Sequence, residues 1–306
     1  MPTQPPLIDH ILAWPNLEAA WEQVLANRAA PGIDGVTLAR WARNRQANLE
    51  RLASQVRTNT YRPNRPKRFL VAKKGGGMRE LSRLTVTDKV LQRAVLNVIE
   101  APFEQRFLDC SHGYRPRRSV ATAVQQVLEY RRRGLRWVLD ADITACFDSL
   151  DHAILLELIR RVIDDWFVLN LTELWLKAGR KHRHQALGVP MGGVLSPLWC
   201  NIYLHQLDAH LTTNRWCMVR YADDFIVLTR TPEEAQHAWQ VVEGALEKLK
   251  LQLSPRKTRL ASFDEGFEFL GVTYQGDSYA YTWRNKRIEV TGHKLGWLYR
   301  CPPDFY

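Results

Sequence analysis

Apolar positions near the start of the chain recur at helical spacing. In 17–28, LEAAWEQVLANR, the residues Leu17, Trp21, Val24 and Leu25 fall on one side of a 3.6-residue repeat. PGIDGV at 31–36 breaks the pattern as a turn, and a second helix is predicted over about 38–57. The stretch 61–82 begins extended at its prolines, and its RFLVAKK and MRELS segments predict two strands joined at the glycines 75–77. Helices are predicted over 87–104, with Thr87 and Asp88 as the N-cap signal, and over 119–133. RWVLDADI at 136–143 is β-rich and then turns. Further helices fit 151–163, about 167–178, and 196–211, the last opened by Ser-Pro in Ncap–N1 order. CMVRYADDFIVLT at 217–229 reads as two short strands about a tight turn, 232–251 as an amphipathic helix, and KTRLASF and FEFLGVTY as strands. Helices come first, and then a sheet assembled from segments far apart in the chain, so the fold class is α+β with no internal repeat or flexible linker.

Two polar positions break the apolar run at 220–228. Asp223 and Asp224 sit side by side in RYADDFIVL, and a buried carboxylate costs more than a buried leucine recovers unless it is paired or bound to metal. Turns favour Asp for backbone reasons, so the pair alone decides little. A second segment, LDADITACFDSLDH at 139–152, places Asp142 where another apolar strand becomes a turn. If the two strands are neighbours in one sheet, Asp142 and Asp223 converge, and converging carboxylates repel unless a cation lies between them. Hard oxygen ligands select Mg²⁺ or Mn²⁺. Two such ions, about 3.5–4 Å apart, would activate an attacking hydroxyl and stabilise leaving pyrophosphate. Asp140, Asp148 and Asp151 are given no chemistry, because strand ends and helix N-termini favour Asp.

Composition narrows the substrate. The 306 residues are 45% hydrophobic, enough for a sizeable core, and carry a net charge of +11, which points to a polyanion and first to nucleic acid. Five scattered cysteines without a Cys-x-x-Cys pair fit a reducing cytoplasm and exclude a disulfide framework or zinc site. The start has no charged segment followed by a long apolar stretch, and no run approaches 18 apolar residues, so neither a signal peptide nor a membrane partner is expected. Basic charge and a two-metal carboxylate cluster together mean phosphoryl transfer on nucleic acid.

These residues carry a resemblance. YADD between apolar strands is similar to the catalytic motif of reverse transcriptases, and the likeness runs in order from about residue 31 to 275. PGIDGVT resembles the N-terminal motif of group II intron and other bacterial reverse transcriptases, and FLVAKKGGGMREL resembles their fingers hairpin over the incoming nucleotide. SHGYRPRRSVATA is similar to the family's HGFRPGRS segment, and LDADITACFD to its first catalytic motif. LGVPMGGVLSPLWCNIYL resembles GVPQGGVLSPLLANIYL, while LSPRKT and FEFLGV match the later lysine motif and the primer grip. One such motif is weak; eight in order are specific.

The resemblance implies roles. Asp142 and Asp223 would ligate both Mg²⁺ ions (Mn²⁺ being the alternative), with Asp224 less direct and the carbonyl of Ile143 a further ligand. Lys73 and Arg79 would hold the triphosphate, and Phe147 would be the steric gate against a ribose 2′-OH, its plain reading being a core aromatic. Met191 and Gly192 belong to the nucleotide-binding set, with Met191 where most members have Gln; a thioether packs but hydrogen-bonds poorly. Lys257 would protonate leaving pyrophosphate, and Phe269, Leu270 and Gly271 would support the primer.

The expected architecture is a right-hand polymerase with an antiparallel palm sheet packed on helices. The N-terminal segment and fingers would cover 1–136, the palm 137–275, with about 165–195 assigned to the fingers or palm, and a short thumb or C-terminal tail 276–306. Trp283, Arg284, Lys286 and Arg287 are basic-aromatic candidates for nucleic-acid contact there. The implied activity is RNA-directed DNA polymerisation, with an RNA template, a DNA or RNA primer and dNTPs as partners. The implied setting is a domesticated group II-like enzyme in CRISPR spacer acquisition or phage defence, with an adaptation integrase or other subunit as partner. The alternatives are a group II intron-encoded maturase fragment, or a non-catalytic RNA-binding splicing cofactor.

Overall fold

All strand ladders of the computed structural model are antiparallel among the described residues, which are 6–27, 31–72, 77–182, 184–283 and 286–292. The strands are β1 (Lys67–Ala72), β2 (Met78–Arg83), β3 (Trp137–Asp142), β4 (Cys217–Tyr221), β5 (Asp224–Thr229), β6 (Arg259–Ser262), β7 (Phe267–Phe269), β8 (Val272–Gln275), β9 (Ser278–Trp283) and β10 (Lys286–Thr291). They form a β1–β2 hairpin, a sheet ordered β4-β5-β3-β6, and a sheet ordered β10-β9-β8-β7. Strands next to helices, with antiparallel pairing, make the α+β class expected from the hydrophobic pattern. No helix among the described residues is long and apolar enough to cross a membrane.

The chain divides into two compact units, each discontinuous in sequence: 1–106 with 147–203, and 107–146 with 204–306. Residues 107–136, expected with the fingers, therefore belong with β3–β6, and 147–203 belong with β1–β2. The local reason is visible in the second unit. Arg220 of β4 pairs with Ser111 in a parallel bridge, and the helix Val120–Arg132 packs on β4.

In the first unit, the helix Val86–Glu104 packs against the helix Trp14–Ala26. Its N-cap is Thr85 rather than Thr87–Asp88: Thr85 Oγ1 accepts from the Asp88 N–H and donates to Asp88 Oδ2. Tyr61 donates to Asp88 Oδ1, and Trp175 Nε1 donates to the Tyr61 hydroxyl, so this buried carboxylate is fully engaged. The helix predicted over 38–57 is two helices, Leu38–Ala42 and Arg45–Arg57. The break is stabilised where Asn48 Nδ2 donates to the Trp41 carbonyl at 3.0 Å, while the Trp41 ring stacks on Trp21 with centroids 4.5 Å apart.

In the second unit, Val124, Val127, Val138, Val219, Ile226, Phe263, Tyr274 and Tyr279 belong to one buried cluster shared by both sheets and the helix Val120–Arg132. FEFLGVTY is two strands rather than one. Leu270 and Gly271, with φ of 55° and 69°, form the two-residue turn between β7 and β8. Positive φ at both positions is what a tight hairpin turn of the I′ kind requires. The segment expected to be a short thumb or C-terminal tail contains the β9–β10 hairpin. In SYAYTW, Tyr279, Ala280 and Tyr281 are all buried, and Tyr279 and Tyr281 join the core cluster of this unit. Lys286 and Arg287 are exposed on β10; Arg284 and Cys301 lie outside the described residues.

Candidate active site

β4 and β5 are joined by the shortest common hairpin connection. Tyr221 and Asp224 are register partners, leaving Ala222 and Asp223 as the two turn residues. Ala222 has φ of 59°, and it is the only one of the two in the left-handed region, the pattern of a II′ turn. A non-glycine residue there is held against a local preference of about 1–3 kcal/mol by its surroundings.

β3 lies on the other side of β5, and Asp142 is the register partner of Asp224. The sheet thus brings Asp142 and Asp224 side by side, with Asp223 on the adjoining turn. Backbone bonds fix the chain around Asp142: Ser254 N–H donates to its carbonyl at 2.7 Å, and Thr144 N–H donates to the Gln252 carbonyl at 2.9 Å. Ile143 between them is bridged to Leu253 and buried.

Electrostatics mark this corner of the sheet. Burial first, then the carboxylates of Asp140, Asp223 and Asp142, push Asp224 up to about 7, with Lys257 acting in the opposite direction. Asp140, two residues before Asp142 on the same strand face, is also raised by burial, while its ion pair with Arg259 at 3.1 Å opposes the shift. Lys257 Nζ donates to Asp142 Oδ1 at 2.8 Å from a largely exposed position.

Crowded carboxylates, with Asp224 pushed up by its acidic neighbours, are a donor set suited to a hard divalent cation. Among the described residues no three acidic, histidine or cysteine side chains are already gathered at ligating distance. A divalent cation here would compete with Lys257 for Asp142. The residues fit the ion by chemistry and by backbone placement.

Arg79, Phe147, Met191 and Gly192 lie in the first compact unit. Arg79 is exposed on β2, paired with Val71. Lys73 falls outside the described residues. Phe147 is in the short helix Cys146–Ser149 and is only 6% exposed, the burial of a core aromatic; its carbonyl accepts from Val189 N–H at 2.7 Å. Met191 is half-buried, and its carbonyl accepts from Ser82 N–H at 2.7 Å. Gly192 has φ of 96°, and a Cβ on it would stand 3.0 Å from the Ser82 carbonyl oxygen. The Met191–Gly192 turn is thus fastened to β2 by backbone, independent of which side chain occupies 191.

Three features have no role in the sequence reading. Asp140 was legible from the alternation in LDAD, which puts it on the Asp142 face. Arg220 stood out only as a cation in an apolar strand. Gly113, from SHGYRP, lies against the Ala222–Asp223 turn: a Cβ there would overlap the Ala222 nitrogen and come within 3.0 Å of the Tyr221 carbonyl carbon.

Paired carboxylates at a strand end and on a hairpin turn of an antiparallel sheet suit metal-dependent phosphoryl transfer. Residues 71–274 match the family described as reverse transcriptase (RNA-dependent DNA polymerase), and the chain belongs to that family. It is 30% identical over 284 residues to Protein YkfC of Escherichia coli K12, an alignment covering 79% of this chain and 74% of that protein. It is 34% identical over 224 residues to the group II intron-encoded protein LtrA of Lactococcus lactis, covering 70% of this chain but only 37% of LtrA. The telomerase of Candida albicans shares the fold, with a TM-score of 0.52 at 12% identity over 78% of this chain and 48% of that one. By family, then, this is a reverse transcriptase, a family that generally uses divalent metal ions.

Proposed function

We propose that this chain extends a DNA or RNA primer with dNTPs on an RNA template. The primer 3′-OH attacks the α-phosphate and pyrophosphate leaves. The observation that carries the reading is the register pairing of Asp142 with Asp224, with Asp223 on the adjoining turn. Asp142, Asp223 and the Ile143 carbonyl would hold two Mg²⁺ ions, or Mn²⁺, with Asp224 beside them. Such a pair would lower the pKa of the attacking hydroxyl and neutralise charge on the leaving group. Lys257 would give a proton to leaving pyrophosphate. From the family resemblance, Arg79 and Lys73 would bind the triphosphate, Phe147 would act as the sugar gate, and Met191 and Gly192 would belong to the nucleotide-binding set. In domain terms, β1–β2 belong to the fingers and β3–β6 to the palm.

Primer extension on poly(rA)/oligo(dT) with Mg²⁺ tests this. Wild type should extend, and Asp223→Ala should not, while both bind template–primer alike, because the change removes a metal ligand and no basic surface. Full activity in Asp223→Ala would end the two-metal reading. An inactive wild type that still binds RNA would favour the splicing-cofactor alternative. The setting in spacer acquisition or phage defence is proposed on the sequence resemblance alone. Its check is direct binding of the purified chain to an adaptation integrase, against RNA of a group II intron as the competing partner.

A further inference from the structure

Arg220 immediately precedes the Tyr-Ala-Asp-Asp turn. Its side chain and that of Asp208 are both 0% exposed. Strand alternation puts Arg220 and Phe225 on the sheet face opposite Asp142, Tyr221 and Asp224, so the arginine approaches the turn from behind. The two charges meet as a fork, Nε donating to Oδ1 at 2.7 Å and Nη2 to Oδ2 at 2.5 Å. Nη2 also donates to Ser111 Oγ, and Nη1 donates to the Ala222 carbonyl oxygen, each at 2.8 Å. The Arg220 backbone is pinned as well: its N–H donates to the Cys110 carbonyl at 2.7 Å and its carbonyl accepts from His112 N–H at 2.8 Å.

The Ala222 carbonyl belongs to the central peptide of the two-residue turn. Rotation of that peptide separates the II′ and I′ conformations, and it changes ψ of Ala222 and φ of Asp223 together. The direction in which Asp223 projects its carboxylate follows from that φ. A directed donor on the Ala222 oxygen therefore selects one orientation of Asp223, and Gly113 leaves the turn backbone no slack. Stability alone does not explain a buried ion pair, because apolar residues of similar volume are often as stable.

We infer that Arg220, held in place by Asp208, is a positioning residue for polymerisation: its Nη1 fixes the Ala222–Asp223 peptide and so aims the Asp223 carboxylate. This rests on the reading of Asp223 as a metal ligand.

Two variants test it. Arg220→Lys keeps a buried cation opposite Asp208 but has no planar fork to reach the Ala222 oxygen as well. Asp208→Leu combined with Arg220→Met removes both charges and leaves no ion unpaired. Each is compared with wild type and Asp223→Ala by melting temperature, template–primer affinity, amide hydrogen exchange across 221–224, and the Mg²⁺ dependence of primer extension. The expected result is unchanged template–primer affinity, faster exchange in the turn, kcat lower by about tenfold or more, and a higher Mg²⁺ midpoint. A folded variant with wild-type exchange, kcat and Mg²⁺ midpoint overturns the inference. So does a lowered melting temperature with kcat and midpoint unchanged, the mark of a purely structural pair. If the double variant does not fold, Arg220→Lys decides by the same readings. An active Asp223→Ala would instead remove the metal reading, while the exchange data would still report whether Arg220 orders the turn.

Discussion

Burial sets two individual side chains against the roles that their chemistry suggests, and each conflict can be measured. Phe147 is buried like a core residue, yet a gate against a 2′-OH needs its ring at the sugar. Phe147→Val removes bulk. As a gate, it should relax discrimination against ribonucleotides by on the order of a hundredfold, with a smaller loss in dNTP use. As a core residue only, it should lower the melting temperature and both activities together. Measuring the dNTP/rNTP ratio beside the melting temperature separates the two, and an unchanged ratio in a destabilised protein returns Phe147 to the core. His112 is the second case. Burial, helped by the charges of Arg118, Arg115 and Arg220 and opposed by its bond to Gln126, lowers its pKa from 6.5 to about 4. The unfolded chain takes up the proton first as pH falls, so the folded state loses stability from about pH 6.5 down through about 4. Above that window the neutral ring contributes in full. His112→Gln should therefore cost stability near neutral pH, and its deficit relative to wild type should shrink in acid. A deficit that stays constant across the window would show that the ring does not titrate in the way its burial requires.

The β4–β5 hairpin shows what sequence pattern can and cannot specify about an element. Its strands and turn are legible in CMVRYADDFIVLT, because two apolar runs flank a polar pair. So was the partner strand of Asp142, from the apolar run that ends at that residue. The support beneath the turn was not legible, since Gly113 is over a hundred residues away from Ala222 and pattern carries no information about such a contact. Likewise the break between Ala42 and Arg45 has no proline or glycine to announce it; it depends on Trp41 finding Trp21. β9 and β10 pair as a hairpin, but their short run of aromatic and basic residues reads equally well as a nucleic-acid contact tail. Gly113→Ala tests the hidden support. The added methyl meets backbone rather than a flexible side-chain end, so the turn or the 111–114 segment must shift. The expected outcome is a loss of primer extension of about tenfold or more, with a lower melting temperature, since overpacking costs roughly 1–3 kcal/mol. Wild-type extension and melting temperature in Gly113→Ala would show that the turn tolerates displacement.

At the scale of the whole chain, charge and connectivity impose separate constraints. The two compact units exchange the chain after residues 106, 146 and 203, so no single truncation point releases one of them intact. Lysine and arginine number 43 against 32 acidic residues, an excess that shapes how the protein meets a template rather than how it folds. Phosphates neutralised by these cations release condensed counterions, so log affinity should fall linearly with log salt. A footprint of about six phosphates would give roughly a thousandfold loss between 50 and 200 mM salt. The slope should be nearly the same for poly(rA)/oligo(dT) and for mixed-sequence template–primer, because phosphate contacts carry no sequence information. Asp223→Ala should share it, since that residue adds nothing to the phosphate-binding cations. Filter binding across a salt series measures the slope directly. A flat series, or a slope that changes with template sequence, would mean that base contacts rather than the basic surface hold the template.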